Sequence, residues 1–418
     1  MEHKAEILCV GTELLMGEIA NTNAQFISET LSGLGINVFW HSVVGDNPAR
    51  LREALRIAHS RADIILTTGG LGPTYDDLTK DTIADFFGRS LVYHPEIEAE
   101  IRRYCASVDR AFTENNLRQA WLPEGCTIFE NGNGTAPGCG MAFNGTHIIM
   151  LPGPPSEMRL MLQTGVVPYL RSLSDGILLS HSINLFGLGE SVVEDILHSR
   201  MLSLTNPTLA PYAKTGEVRL RVSAKAENED AAERLIAPVI AEVRELLGDV
   251  VYGVDETSLE SLCLKLLKAK GLTFSSAESC TGGLIAKRIT DIPGASEVFS
   301  GSVVSYTNAV KQALLSVPAS VLDCYGAVSW QTAVLMAEGV RRRIGTDIAV
   351  SVTGVCGPSS DDRGTPVGTA FVGFSADGVL TFRKINMGYE RERGRTVAAH
   401  HAFDMIRRYL QGLPLNRD

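Results

Sequence analysis

No apolar run in the sequence approaches the roughly 18 residues that a membrane-spanning helix needs. The opening Met1-Glu2-His3-Lys4 leads straight into a strand-like segment rather than a secretory apolar stretch. No membrane association is expected, and the expected location is cytoplasmic. The cysteines, Cys9, Cys105, Cys126, Cys139, Cys263, Cys280, Cys324 and Cys356, include no C-x-x-C pair, so neither a zinc ribbon nor a redox dithiol motif is written in them. Reduced, mostly structural thiols are the expectation. Positive charge is also scarce: 38 Lys+Arg stand against 48 Asp+Glu, a net charge of -10. Neutralising nucleic-acid phosphates is therefore not expected to be the chain's main business. Both the P-loop spacing and the G-x-G-x-x-G fingerprint are missing, which disfavours nucleotide chemistry by those routes. After His198 the next histidines are His400 and His401, so no Ser/His/Asp arrangement suggests itself in the C-terminal half.

What is present is a globular chain of 418 residues, 44% hydrophobic and 21% charged, long enough for two or three cores. Residues 5–11 read as a buried strand ending at Gly11. The helix after it has Ala24, Ile27, Leu31 and Leu34 on one face, Thr22 as its cap and Gly35 at its end. A second unit runs from the strand Ile64-Ile65-Leu66 through a Gly-rich turn, Thr67 to Thr74, into a helix near Asp77 or Thr79. A third strand, His147 to Leu151, stops at Pro152-Gly-Pro-Pro155. Strands alternating with helices imply an open, mainly parallel α/β sheet with ligands at the carboxyl ends of its strands. From about 170 to 252 a small α+β module is expected, with a half-exposed strand over Val218, Leu220 and Val222 and a helical face of Leu235, Val239, Val243 and Leu246. Beyond 255 the α/β pattern returns, with a helix over Leu259–Lys270 and strands near Leu272–Ser276, Ile348–Val352 and Thr369–Phe374.

Two turns carry candidate chemistry. Thr67-Thr-Gly-Gly-Leu-Gly-Pro-Thr74 lies between strand and helix, where backbone N–H groups converge on an anion. Asp76 and Asp77 follow it, hard oxygen ligands for a cation bridging phosphates. Ser275-Ser-Ala-Glu-Ser-Cys-Thr-Gly-Gly283 repeats the strand-turn-helix design. Without a histidine partner, a serine there calls for a lysine base, and Lys311, in Ser305-Tyr-Thr-Asn-Ala-Val-Lys311, supplies one if desolvated, with Tyr306 assisting. Cys280 reads as a packing residue.

Gly11-Thr-Glu-Leu-Leu-Met-Gly-Glu-Ile-Ala-Asn-Thr-Asn23, Thr68-Gly-Gly-Leu-Gly-Pro-Thr-Tyr-Asp-Asp77 and Leu151-Pro-Gly-Pro-Pro-Ser-Glu-Met158 resemble the molybdopterin-binding-type domain of the CinA competence/damage-inducible family. Asn206 to Glu217 resembles its KH-type domain, without the GXXG loop of RNA binders. Residues from about Leu259 to Tyr409 resemble its nicotinamide-nucleotide amidase domain. The implied boundaries are 1–169, 170–252 and 255–414. The resemblance implies two hydrolytic activities: nicotinamide mononucleotide to nicotinate mononucleotide and ammonia, without a cofactor, and ADP-ribose to AMP and ribose 5-phosphate, with a divalent metal ion such as Mg, Mn or Co. A homodimer is also expected.

Carried over by motif, Asp46 with Asp76 or Asp77 serves the metal, and Gly69, Gly70, Gly72 and Thr74 hold phosphate. Glu13 and Asn23 position the substrate, while Gly134, Thr135 and Ser156 supply further donors. In the C-terminal domain Ser279 and Ser296 compete as nucleophile, Lys311 is the base and Tyr306 its helper. Asn308, Thr353 and Gly354 hold the carboxamide or its oxyanion; Thr281, Gly282, Gly283 and Arg391 hold the ribose phosphate. One departure stands out. Where the family usually runs Thr-Gly-x-Ala-Gly-Pro-x-Gly-Gly, this chain has Thr353-Gly-Val-Cys-Gly-Pro-Ser-Ser-Asp361. Asp361 and Asp362 then oppose a nearby phosphate unless Arg363 offsets them. Two other readings are a scaffold with one inactive domain and a pterin- or nucleotide-binding transferase module at the N-terminus.

Overall fold

The computed structural model describes residues 3–173 and 176–416, apart from the side chains of residues 213 and 214. The chain divides into two compact units, Met1–Leu179 with Ala224–Arg234, and Ser180–Ser223 with Leu235–Asp418.

The first unit is built on six strands in the order Asn37–Val44, Lys4–Val10, Ile64–Thr68, Thr146–Leu151, Gly138–Phe143 and Thr127–Phe129. The first four run parallel and the last two antiparallel. After exposed Lys4, the strands Lys4–Val10 and Ile64–Thr68 are buried throughout, as strands covered by helices on both faces must be. Because alternate side chains leave opposite faces, Ile7 and Leu66 join Ile27, Leu31 and Met158 in one core, while Leu8 joins Leu51, Leu55 and Ile83 in the other. The helix Thr22–Gly33 buries Ala24, Ile27 and Leu31 as their spacing requires. Its cap is Asn21 rather than the expected Thr22: the Asn21 side chain accepts the Ala24 N–H at 3.0 Å, the bond that an N-cap makes to the first turn.

In the second unit five strands run in the order Phe299–Val304, Phe274–Glu278, Ile348–Gly354, Thr369–Ala376 and Val379–Asn386, three parallel and then two antiparallel. Helices Leu259–Lys270 and Arg391–Leu410 cover one face, and Trp330–Ile344 the other. Within Arg391–Leu410, fully buried Asp404 accepts from Arg383 at 2.8 Å and Arg407 at 2.7 Å, so these interior charges are paired as burial demands. Rings of Phe186 lie 5.9 Å from His400 and 5.0 Å from His401. Both histidines thus pack structurally.

The small middle sheet has the order Thr208–Lys214, Glu217–Ala226, Ile177–Leu185 and Val251–Val254. Val218, Leu220 and Val222 are its buried side, as their alternation predicts. The helix Glu229–Leu247 departs from expectation by one position. Its buried stripe is Ile236, Val239, Val243 and Leu247, while Leu235 and Leu246 face solvent. Both sets run in three- and four-residue steps around Val239 and Val243, and packing selects Ile236 and Leu247 over their neighbours Leu235 and Leu246. Arg219 donates to Asn184 Oδ1 at 3.1 Å and Arg221 to Ser180 Oγ at 3.2 Å, which ties both arginines to the sheet.

Candidate active sites at two strand switch points

In the first unit Lys4–Val10 has a parallel neighbour on each side. Connections leave it in opposite directions, and a crevice opens where its carboxyl end meets that of Ile64–Thr68. Gly69 crosses this point at φ +103°, and a Cβ there would lie 2.1 Å from the Val10 carbonyl oxygen. Only glycine fits. Gly69→Ala is expected to destabilise the first unit by about 2 kcal/mol or more, read as a lower urea midpoint for that unit with the second unit's transition unmoved.

Asn23 reaches across the crevice, its Nδ2 donating to Thr68 Oγ1 at 3.0 Å and Gly153 O at 2.7 Å. Its Oδ1 is buried without a hydrogen-bond partner among the described residues, as is Thr79 Oγ1 opposite Gly70. A cavity of about 70 Å³ is lined by Glu13, Asn23, Thr68, Gly69 and Gly153, among others. Glu13, Asn23 and Gly69 are therefore brought together. Gly134 is buried against the Glu157 carboxyl, Thr135 is half-buried, and Ser156 is exposed; none of the three lines this cavity.

The expected metal set is not assembled. Asp46 accepts from the Thr12 N–H at 3.0 Å and hydroxyl at 2.7 Å, and among the described residues no three His, Cys, Asp or Glu side chains gather as a metal site. Asp76 and Asp77 both accept from the Thr74 hydroxyl, which holds the Asp76 carboxyl below its ordinary range. Asp77 also accepts the Thr74 N–H at 2.9 Å and lies over Gly72, so it folds the loop. A pair of carboxylates fits a Mg²⁺-type ion held largely by substrate phosphates and water, not a cage made by protein alone. Two basic residues went unread in the sequence. Arg118 Nη1 donates to Thr74 O at 2.7 Å, and largely buried Lys80 donates to Arg118 O at 2.6 Å. Lys80's place in the first turn of the helix after the Gly-rich loop was the available signal.

The second unit repeats the plan. Phe274–Glu278 lies between parallel Phe299–Val304 and Ile348–Gly354, and Ser279, Ser305 and Val355 follow the three strand ends. Lys311, only 1% exposed, comes from the helix Asn308–Leu315. Its Nζ donates to Ser279 Oγ at 3.1 Å and Ser305 O at 2.7 Å. Among the described residues it has no carboxylate partner, and burial pushes its amine down to about 8. Ser296 is exposed on the turn Ala295–Glu297, so the geometry joins Ser279 to the lysine. Tyr306 is 59% exposed, and its hydroxyl accepts from Arg391 at 3.1 Å rather than touching Lys311. Asn308 is exposed, Thr353 donates its hydroxyl to Ala327 O at 2.7 Å, and Gly354 packs on Ala370.

The expected phosphate cradle at Thr281 to Gly283 is already filled. Buried Glu278 accepts the N–H groups of Gly283, Ile285 and Ala286 at 2.9, 3.1 and 3.0 Å, so a side chain of the protein takes the helix N-terminus that an anion would use. Glu278 was missed because it reads as one strand residue among several. Thr281 keeps a buried hydroxyl without a partner among the described residues. Its carbonyl accepts from Arg395 at 2.6 Å. Arg395, one helical turn after Arg391, was legible only as an i,i+4 repeat. Arg363 does not offset Asp361 and Asp362: it donates to Cys324 O at 3.0 Å and Leu322 O at 3.3 Å, at the end of the helix Ala319–Tyr325. Asp361 accepts the N–H groups of Arg363 and Thr365 at 3.1 and 2.8 Å.

Three family models match the chain in order: "Probable molybdopterin binding domain" over residues 6–172, "Damage-inducible protein CinA KH domain" over 180–253, and "CinA C-terminal domain" over 256–410. A CinA-like protein of Dictyoglomus turgidum is 46% identical over 98% of this chain and 100% of its own length. One from Kosmotoga olearia is 45% identical over 99% of this chain and 100% of its own. A solved structure from Thermoplasma acidophilum, described as the protein CinA with unknown function, is 36% identical and covers 39% of this chain and 95% of that one, at a TM-score of 0.36. With near-half identity sustained from end to end and all three domain types in sequence, the chain belongs to the CinA family.

Proposed function

We propose that the second unit is a serine–lysine amidohydrolase that converts nicotinamide mononucleotide to nicotinate mononucleotide and ammonia. The observation that supports this most directly is the buried Lys311 amine, without a carboxylate partner among the described residues and bonded to Ser279 Oγ at 3.1 Å. Burial favours the neutral amine. Neutral Lys311 takes the Ser279 proton as Oγ attacks the carboxamide carbon, and returns it to the departing ammonia. Water then cleaves the resulting ester and frees the carboxylate. The Ser305 carbonyl fixes the direction of the amine. Arg391 and Arg395, on one face of the helix Arg391–Leu410, supply positive charge for the nucleotide phosphate in place of the occupied helix N-terminus.

The test is ammonia and nicotinate mononucleotide production by purified full-length protein without added metal; no turnover by folded protein refutes the reading. The pH dependence follows from the lysine. Below about 8 the amine is protonated and cannot act as a base, and above it the amine is free. The expected kcat/KM therefore rises with pH through about 8 and then levels, and a profile falling across that range contradicts Lys311 as base.

For the first unit we propose hydrolysis of ADP-ribose-type diphosphates, specifically ADP-ribose to AMP and ribose 5-phosphate. Support comes from the unpartnered Asn23 Oδ1 and Thr79 Oγ1 at the Gly-rich switch point and from the adjacent Asp76 and Asp77. A divalent ion would be held by these two aspartates and would help neutralise the diphosphate. Asn23 and the loop N–H groups orient the substrate. Cleavage that stops on chelation supports this assignment, while molybdopterin binding without ADP-ribose cleavage favours the transferase-like alternative.

A further inference from the structure

The strand ends that join Ser279 to Lys311 also bring two thiols together. Phe274–Glu278 and Ile348–Gly354 are neighbouring parallel strands with Glu278 in register with Val352. Cys280 lies two residues past the end of the first, and Cys356 two past the end of the second. Both are buried in one apolar cluster, where each thiol perturbs the titration of the other. The neighbouring Cys280 thiol, with Arg391 and Arg395 nearby, draws the Cys356 thiol down to about 7, while the Cys280 thiol is pushed up by Cys356 and by burial. Cys356 is thus the more acidic of two thiols that follow neighbouring strand ends, the arrangement in which an attacking and a resolving cysteine react.

We propose that Cys280 and Cys356 form a reversible disulfide next to Ser279, an oxidation site that switches off the hydrolase. The oxidant is a peroxide. The Cys356 thiolate attacks hydrogen peroxide, the O–O bond breaks, and Cys356 becomes a sulfenic acid with release of water after proton uptake. Cys280 sulfur then attacks the sulfenic sulfur, the S–O bond breaks, and a second water leaves; two thiols are oxidised and one peroxide is reduced. A disulfide holds its sulfurs at about 2.05 Å, well inside a thiol hydrogen bond. Forming it shifts the backbone of Cys280, and with it the adjacent Ser279, whose 3.1 Å bond to the Lys311 amine leaves little room for displacement. The disulfide stands independently of the proposed reaction, whereas the loss of activity rests on the Ser279–Lys311 reading.

The experiment uses full-length protein carrying Cys324→Ser, which removes the one exposed thiol. It is treated with hydrogen peroxide, its remaining thiols are blocked, and it is digested without reduction. The expected map links Cys280 to Cys356, ammonia release from nicotinamide mononucleotide falls at least about tenfold, and dithiothreitol restores both. Adding Cys356→Ala, the residue usual in the family pattern, keeps the reduced protein's activity and abolishes the sensitivity to peroxide. Cys126 and Cys139 are a second pair of thiols that perturb each other's titration and serve as an internal comparison. A bond confined to that pair, with Cys280 and Cys356 still reduced, overturns the proposal, as does equal inactivation of the Cys356→Ala protein. Absence of ammonia release even from reduced protein would instead refute the functional assignment, while the peptide map would still decide the disulfide.

Discussion

Ser279→Ala and Lys311→Ala are each expected to lower the proposed ammonia release from nicotinamide mononucleotide by about 10³-fold or more, and Ser296→Ala to leave it within about twofold. The difference follows from position. Ser279 meets the buried Lys311 amine at 3.1 Å, whereas Ser296 is exposed on a separate turn. Removing either member of the pair removes proton transfer and covalent chemistry together, so the double variant is expected to lose little more than each single one. Lys311→Met, which keeps the buried stem, separates chemistry from packing: it should melt near the parent protein yet be equally inactive. The proposed ADP-ribose cleavage is expected to be unchanged in all of these proteins, because its candidate residues belong to the other unit. Rates that are strictly additive, or a Ser296 variant as impaired as the Ser279 one, would overturn the dyad.

Glu278→Ala is expected to be the most destabilising single change at the C-terminal site. Its carboxyl oxygens accept three backbone N–H groups and lie within 3.4 Å of the Ser276 and 3.3 Å of the Ser302 hydroxyls, in a position without solvent exposure. Truncation leaves the three N–H groups, buried or part-buried, without that acceptor, at about 1–3 kcal/mol each before relaxation. A net loss of about 3–5 kcal/mol is expected, seen as a fall of roughly 10 °C or more in the second unit's midpoint. Glu278 is a positioning residue, since it ties down the turn that carries Ser279. In the more conservative Glu278→Gln, kcat should therefore fall far more than KM rises. A change confined to stability, with kcat unaltered at a temperature where the protein is folded, would reduce Glu278 to a structural part.

Much of the architecture was legible because buried strands and amphipathic helices write their periods into the chain. Ile64-Ile65-Leu66 and Leu259–Lys270 appear where the apolar pattern puts them. The misread helix face at Leu235 and Leu246 arose because leucines at near-helical spacing sat beside the true stripe of Ile236, Val239, Val243 and Leu247. At the sites, residue type disclosed the candidate groups but not which of them meet. Ser279 and Ser296 look alike in sequence, and only the alignment of neighbouring strand ends separates them. The glycine turn before Leu284 likewise looks open to an anion until Glu278 is seen beneath it. A donor's prior engagement is a property of tertiary packing, which no local pattern encodes.

The loop that departs from the family pattern has a different consequence from the electrostatic one its aspartates suggest. Asp361 fastens the N–H groups of Arg363 and Thr365, and Arg363 clamps the loop to the end of the helix Ala319–Tyr325. Glycines at such positions would leave many conformations to be lost when a ligand arrives, at about 1–2 kcal/mol per backbone residue ordered. Here that ordering is complete before encounter. Such a loop is expected to act as a rigid wall rather than a closing flap, so selectivity for the proposed nucleotide substrates should come from shape matching at first contact, with slow exchange of the Arg363 and Thr365 amides whether or not ligand is bound.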